Sequence, residues 1–215
     1  MTSSAPASPT DLRVDAQTAL VTAGVMARHR GCSFETFRRT TGTTEAAVAA
    51  STWANTVDDR GLVLLGPPGV GKTHLAVAAL RARMERRLAT TPDSYRWSAT
   101  HAHFEVAPIL LDKLRAAIRF KESEIEERFE HYRDACPLLV IDDLGKENAT
   151  DWAVERLYVL FESRYARKLP TLLTSNLSPA ELAAKGYGAT VSRLAETCAI
   201  VQIKGAADFR IGGAR

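Results

Sequence analysis

The chain has 215 residues, 46% of them hydrophobic and 25% charged, with a formal net charge of +3 and a sequence pI near 8.8. That suits one α/β domain with a real core, and a charge excess this small permits nucleic-acid binding without arguing for it. No apolar run approaches the ~18 residues of a membrane span, no basic-then-apolar leader opens the chain, and Cys32, Cys136 and Cys198 form no CxxC pair, which argues against a disulfide framework or a zinc site and for free thiols in a reducing cytoplasm.

Residues 1–9 are Ser, Ala, Pro and Thr with Met1, a composition expected to be disordered. Thr10 can cap a helix running to about Arg30, because Leu12, Ala16, Ala19, Leu20, Ala23 and Met26 follow a 3.6-residue period; Gly31 would end it. This helix can grip a partner or pack on its own domain, so residues 1–32 are set apart from a domain over 33–215. An alanine-rich helix from about Thr44 to Val57 follows.

Short apolar strands then alternate with amphipathic helices. The strands are expected at Gly61–Leu65, His101–Val106, Leu138–Asp142, Pro170–Ser175 and Ala199–Ile203. Alternation of this kind implies a five-stranded parallel sheet flanked by helices. Residues 89–100 are expected as a surface loop. The helix over 107–120 carries Leu111, Leu114 and Ile118 as its apolar stripe, and the one over 122–134 has Ile125, Phe129 and Tyr132 on one side. Ser178-Pro179-Ala180-Glu181 has the N-cap, the proline and the closing glutamate of a capping box, with Gly186 and Gly188 punctuating the end.

The chemistry concentrates at strand ends. Gly66-Pro67-Pro68-Gly69-Val70-Gly71-Lys72-Thr73 fits GxxxxGK[ST] between the strand GLVLL and an amphipathic helix continuing through His74. Backbone amides of such a loop bind phosphate oxygens, the lysine reaches the β and γ phosphates of ATP, and the threonine hydroxyl ligates Mg²⁺. A second strand ends in Asp142-Asp143. Carboxylates there need a cation or a hydrogen-bond partner. Asp142 suits the Mg²⁺, while Asp143, turned away by strand alternation, either orients the attacking water or caps the turn before Gly145. Thr174-Ser175-Asn176 ends another strand, and its amide can reach the water or the γ-phosphate, or serve only as a turn. His101 and His103 share a strand face, but no ligand-spaced cysteine or carboxylate accompanies them, so they read as polar strand positions.

Taken in order, FETF (34–37), GLVLLGPPGVGKTHLA (61–76), LLVIDDLGKE (138–147), DWAVERLYVLFESRY (151–165), LPTLLTSNLS (169–178), SRL (192–194) and DFR (208–210) resemble the AAA+ ATPases of the DnaC-type helicase loaders and IstB-type transposition helpers. The resemblance spans about residues 33–212. It implies Walker A roles for Gly66, Pro67, Pro68, Gly69, Val70, Gly71, Lys72, Thr73 and His74, and Walker B roles for Asp142 and Asp143. Asn176 corresponds to a first sensor, Arg193 to an arginine finger acting on a neighbouring subunit, and Arg210 to a second sensor. It further implies single-stranded DNA binding through the 107–120 helix, where Lys113, Arg115, Arg119 and Lys121 supply the cations. The implied activity is a cytoplasmic, ATP-dependent homo-oligomer that loads a replicative DNA helicase. Its alternatives are a helper delivering DNA to a transposase, and an interaction module that binds ATP with little turnover. Where many AAA+ proteins carry glutamate, the second Walker B acid here is aspartate, which suggests slow hydrolysis. The few residues after the last strand suggest a reduced or absent helical lid.

Overall fold

The computed structural model describes residues 16–56, 59–90, 101–205 and 209. The expected N-terminal tail, the Thr10 cap and most of the 89–100 loop lie outside them. The helices are α1 (Ala16–Thr22), α2 (Thr44–Asn55), α3 (Lys72–Thr90), α4 (Ala107–Phe120), α5 (Ser123–Asp134), α6 (Asp151–Ala166), α7 (Pro179–Leu182) and α8 (Gly188–Thr197). The strands are β1 (Gly61–Leu65), β2 (Ala102–Val106), β3 (Leu138–Leu144), β4 (Thr171–Ser175) and β5 (Cys198–Gln202). They form one parallel sheet in the order β2-β3-β4-β1-β5.

Period-two alternation splits the core between the sheet's two faces. Leu62, Leu64, Val140 and Leu172 face α1, α2 and α3, whereas Val63, Leu65, Leu139, Ile141 and Leu173 face the layer built by α4 to α8. β1 and β4 are buried along their whole length, as central strands covered on both sides must be. Gly61 lets the strands approach: a Cβ there would lie 2.5 Å from Cys198 Sγ and from the Thr171 carbonyl. Inserting β4 between β1 and β3 sets the Gly66–Lys72 loop beside the ends of two other strands, the crevice where α/β sheets bind ligands.

Several local expectations change. α1 ends at Thr22 instead of running to Arg30, because Gly24 takes φ +87° and the amides of Gly24 and Val25 close back on Val21 and Leu20. Ala19, Leu20, Ala23 and Val25 sit in the core against α2 and α3, and the Ala23 carbonyl accepts from the amide of Phe104 on edge strand β2 at 2.7 Å. On α4 the buried stripe runs through Leu110, Leu111, Leu114 and Ala117, leaving Ile118 47% exposed, since the three-residue step from Leu114 follows the packed face and the four-residue step leaves it. The Ser178–Glu181 capping box forms as its residues dictate. Gly186 does mark the break, at φ +93°, but Gly188 opens the next helix. Among the described residues no helix is long and apolar enough to cross a membrane.

Candidate active site

Three strand ends and one loop meet at the C-terminal edge of the sheet. The loop after β1 needs glycine where it curves. Gly69 and Gly71 adopt φ +77° and +92°, values costly for any residue with a Cβ. A Cβ on Gly71 would also lie 2.7 Å from Phe37 Cε2. Phe37, nearly buried, thus closes the outside of the loop and meets the His74 ring edge-on at 5.2 Å. His74 Nε2 donates to the Ser33 carbonyl at 2.9 Å and sits 3.2 Å from Thr36 Oγ1, so its side chain faces the 33–37 turn. Val70 is buried beneath the loop.

Lys72 opens α3 and is 5% exposed. Its ammonium donates to the carbonyls of Gly66 (2.7 Å) and Pro67 (2.8 Å) and to Asn176 Oδ1 (2.7 Å). The Walker A lysine and the strand-end amide, 104 residues apart, therefore touch. Thr73, next on α3, donates to both Asp142 oxygens at 3.0 Å. A carboxylate and a hydroxyl held together at the mouth of a phosphate loop are a hard-oxygen donor set, which fits Mg²⁺.

Asp142 and Asp143 do not separate by pleat alternation, as the sequence suggested. The β3–β4 register shifts between Ile141 and Leu144, so two aspartates oppose Thr174 alone, and Asp143 takes φ +61°. This is a bulge, the usual device for re-aiming side chains at a strand end. Thr174 stabilises it. Its hydroxyl accepts from the Asp143 amide at 3.0 Å and donates to Asp142 Oδ1 at 2.6 Å. Asp143 keeps its carboxylate near solvent, where Lys146 donates to it at 2.6 Å. Burial pushes the Asp142 carboxyl above its ordinary range; the Thr174 hydroxyl opposes this and the charge of Asp143 adds to it. Below the bulge, the buried Glu147 accepts from the Gly145 amide (2.9 and 3.0 Å) and from the Tyr187 hydroxyl, and Lys185 donates to the Gly145 carbonyl at 2.7 Å.

The family model described as IstB-like ATP binding protein matches residues 16–211. The chain belongs to the IstB-like ATP-binding family. The XkdC protein of a phage-like element, PBSX, in Bacillus subtilis (strain 168) is 33% identical over 164 residues, 72% of this chain and 55% of that protein. A protein of insertion sequence IS232 from Bacillus thuringiensis subsp. berliner, named for ATP binding, is 32% identical over 117 residues, 54% of this chain and 40% of its own length. The chain thus spans about half the length of these relatives. Among solved structures, the crystal structure of the DnaC helicase loader superposes with a TM-score of 0.68 at 26% identity, covering 83% of this chain and 100% of that one.

The remaining predicted residues fall elsewhere. Arg193 lies on α8, lining a cleft of about 380 Å³ with Gly61, Thr171 and Cys198, the first residues of β1, β4 and β5. That is the opposite edge of the sheet from the loop. There Arg193 pairs with Glu162 at 3.0 Å and Glu196 at 3.8 Å and lies over Tyr165. It is therefore not brought to the chain's own phosphate loop. Arg210 lies outside the described residues, but the amide of Phe209 donates to the Gly69 carbonyl at 3.2 Å. On α4, Lys113 is drawn to Glu105 at 3.4 Å, while Arg115 and Arg119 share the exposed face over Trp152 and Phe120, and Lys121 ends the helix at φ +57°. Sequence reasoning missed the part of Thr174 in the bulge and that of Phe37 against Gly71. Only the β3–β4 register and the fold of the 33–37 turn reveal them.

Proposed function

We propose that this chain is a Mg²⁺-dependent ATPase that assembles with copies of itself on single-stranded DNA and delivers a replicative DNA helicase there. The observation that carries this reading is the meeting of Lys72, Asn176, Thr73 and Asp142 around one glycine-rich loop. The loop amides of Gly69, Val70 and Gly71, which follow two prolines that have no N–H, bind phosphate oxygens, and Lys72 exchanges its carbonyl partners for the β and γ phosphates. Thr73 and Asp142 would hold Mg²⁺, which offsets phosphate charge when bound. Asp143, released from Lys146, orients the attacking water and accepts its proton. The new oxygen–phosphorus bond forms as the bridge to ADP breaks. Asn176, released from Lys72, reaches the water or the γ-phosphate, and Arg210 meets the same nucleotide.

Because Arg193 lies at the far edge of the sheet, it can serve only a neighbour's nucleotide. An arginine supplied in trans contributes ~10³–10⁵ in rate. Turnover per subunit should therefore be slow at high dilution and rise with protein concentration or with added single-stranded DNA. Arg193→Ala should remove that rise. A rate already fast at high dilution and unchanged by Arg193→Ala would overturn the assembly. For the DNA, Arg115, Arg119 and Lys121 are the exposed cations that can meet phosphates, Arg115 giving up its bond to Thr150 Oγ1 (3.2 Å) and Lys113 joining if it leaves Glu105, and the affinity should fall steeply with salt.

The match of 83% of this chain to the solved DnaC helicase loader favours loading. A second reading, delivery of DNA to a transposase, is favoured by the family description and the insertion-sequence relative. Affinity capture with Asp143→Asn in ATP and Mg²⁺, against a Lys72→Ala control, separates them. A ring helicase recovered only by the first bait supports loading, a transposase supports the second reading, and unchanged partner binding in both baits supports neither.

A further inference from the structure

A second cluster of metal-ligating side chains stands apart from the nucleotide site and shares no residue with it. His103 lies on edge strand β2, His131 on α5, and Cys136 in the connection from α5 to β3. One ring nitrogen of each histidine and the cysteine sulfur all lie within 4.8 Å of one another. We propose that His103, His131 and Cys136 form a binding site for a thiophilic divalent metal ion, Zn²⁺ being the best chemical match, with the fourth position left to water.

The backbone alone brings the donors together. α5 ends in a turn in which the amides of Ala135 and Cys136 both donate to the His131 carbonyl, at 3.0 and 2.8 Å. That fixes the thiol and the imidazole on the same side of the helix end before any ion arrives. β2 and β3 pair in register, His103 opposite Leu139, so the second imidazole comes from a strand locked to the one that follows Cys136. The rings of His103 and His131 meet edge-on at 5.6 Å, and His103 also lies 4.6 Å from Tyr132. Three donors from three elements are thus held by ladder and cap geometry, and neither requires a metal.

The ligand chemistry agrees. Zinc sits ~2.0–2.1 Å from imidazole nitrogen and ~2.3 Å from thiolate, so its ligands are about 3.5 Å apart. The present spread is roughly 1 Å wider, within reach of small side-chain rotations. Two imidazoles and one thiolate with an open fourth position are a familiar zinc donor set, and the sulfur disfavours Mg²⁺ and Ca²⁺. Burial pushes the His103 imidazole below its ordinary range. The neighbouring Arg128 is engaged by Glu124 at 2.8 Å. Burial raises the Cys136 thiol and the nearby Arg164 guanidinium lowers it. On binding, the thiol proton passes to solvent and the sulfur gives up its bond to the Leu138 carbonyl (3.1 Å). Both histidines are half-buried and form the entrance, while Cys136 is fully buried and forms the floor. The other two thiols have no such company among the described residues.

The test is a Co²⁺ titration of chelator-stripped protein without nucleotide or Mg²⁺. The expected result is one Co²⁺ per chain with a thiolate-to-cobalt charge-transfer band, discharged by Zn²⁺. Cys136→Ser should abolish the band. His131→Gln, at a partly exposed helix position, should weaken binding about ten-fold or more while leaving the thermal melt of the metal-free protein within a few degrees of the parent. Cys32→Ser and Asp142→Asn should leave the band unchanged. Absence of the band in the unaltered chain, its survival in Cys136→Ser, its loss in Cys32→Ser, or full affinity in His131→Gln would each overturn the site.

Discussion

Asp142→Asn should make the ligand-free protein more stable while removing its response to Mg²⁺-nucleotide. Asp142 is 2% exposed. Its carboxylate receives hydroxyls from Thr73 and Thr174, no ion pair to it is formed among the described residues, and the Asp143 carboxylate is its neighbour. Hydrogen bonds from neutral hydroxyls do not repay the desolvation of a buried charge, which is why the carboxyl stands above its ordinary range. Asparagine keeps the shape and one acceptor oxygen, and the threonine hydroxyls can rotate to meet its amide. Removing the charge should yield about 1–2 kcal/mol, or roughly 3–6 °C in melting temperature for a chain of this size. The assay is a thermal melt at neutral pH with chelator, repeated with Mg²⁺ and a non-hydrolysable ATP analogue. At a hundred times its dissociation constant the analogue should add about 2.7 kcal/mol to the parent protein, and far less to the variant. If Asp142→Asn melts below the parent without ligand, the carboxylate is not a net cost in the empty site and the reasoning fails.

Lys72→Ala should show the opposite sign. It strips partners from the Gly66 and Pro67 carbonyls and from Asn176, so the ligand-free melt should fall by about 1 kcal/mol while nucleotide binding is also lost. Gly71→Ala should cost about 1–2 kcal/mol from backbone conformation alone, plus the overlap with Phe37; adding Phe37→Ala should recover the overlap and not the conformational part, a coupling readable in a double-mutant cycle. Arg164→Met should be the most damaging of these changes. Its guanidinium is buried and donates to Thr171 Oγ1 and to the carbonyls of Tyr132, Cys136 and Pro170. Leaving several buried acceptors unpaired should cost about 3 kcal/mol or more in urea unfolding, with nucleotide affinity retained in the fraction that remains folded.

What could be read from the sequence and what could not divide along one physical line. The phosphate loop is continuous in the chain, and its chemistry depends on backbone amides and glycine torsions that a local pattern specifies, so Gly66 through Thr73 were legible with their strand and helix. The strand ends Asp142 and Asn176 were legible because an apolar run closing in polar residues has few uses inside a parallel sheet. Everything that depends on register was hidden. A single extra residue in β3 replaces pleat alternation with a bulge and turns Asp143 out toward Lys146. The partner that fixes this bulge, Thr174, is 31 residues away from Asp143 and is identified only by which strand neighbours β3. His103 read as a lone polar strand position for the same reason: its companions His131 and Cys136 lie across a helix and a turn, at a spacing no metal motif encodes. Even Arg193, legible as SRL, gained its meaning from topology. α8 delivers it to the sheet edge where β1, β4 and β5 begin, so a role at a nucleotide requires a second subunit whose loop faces that edge. In the proposed assembly the Glu162 and Glu196 carboxylates that now hold it would have to release it. Glu162→Gln should therefore lower the concentration at which ATPase activity rises, whereas an unchanged or higher concentration would mean that these carboxylates do not restrain the arginine.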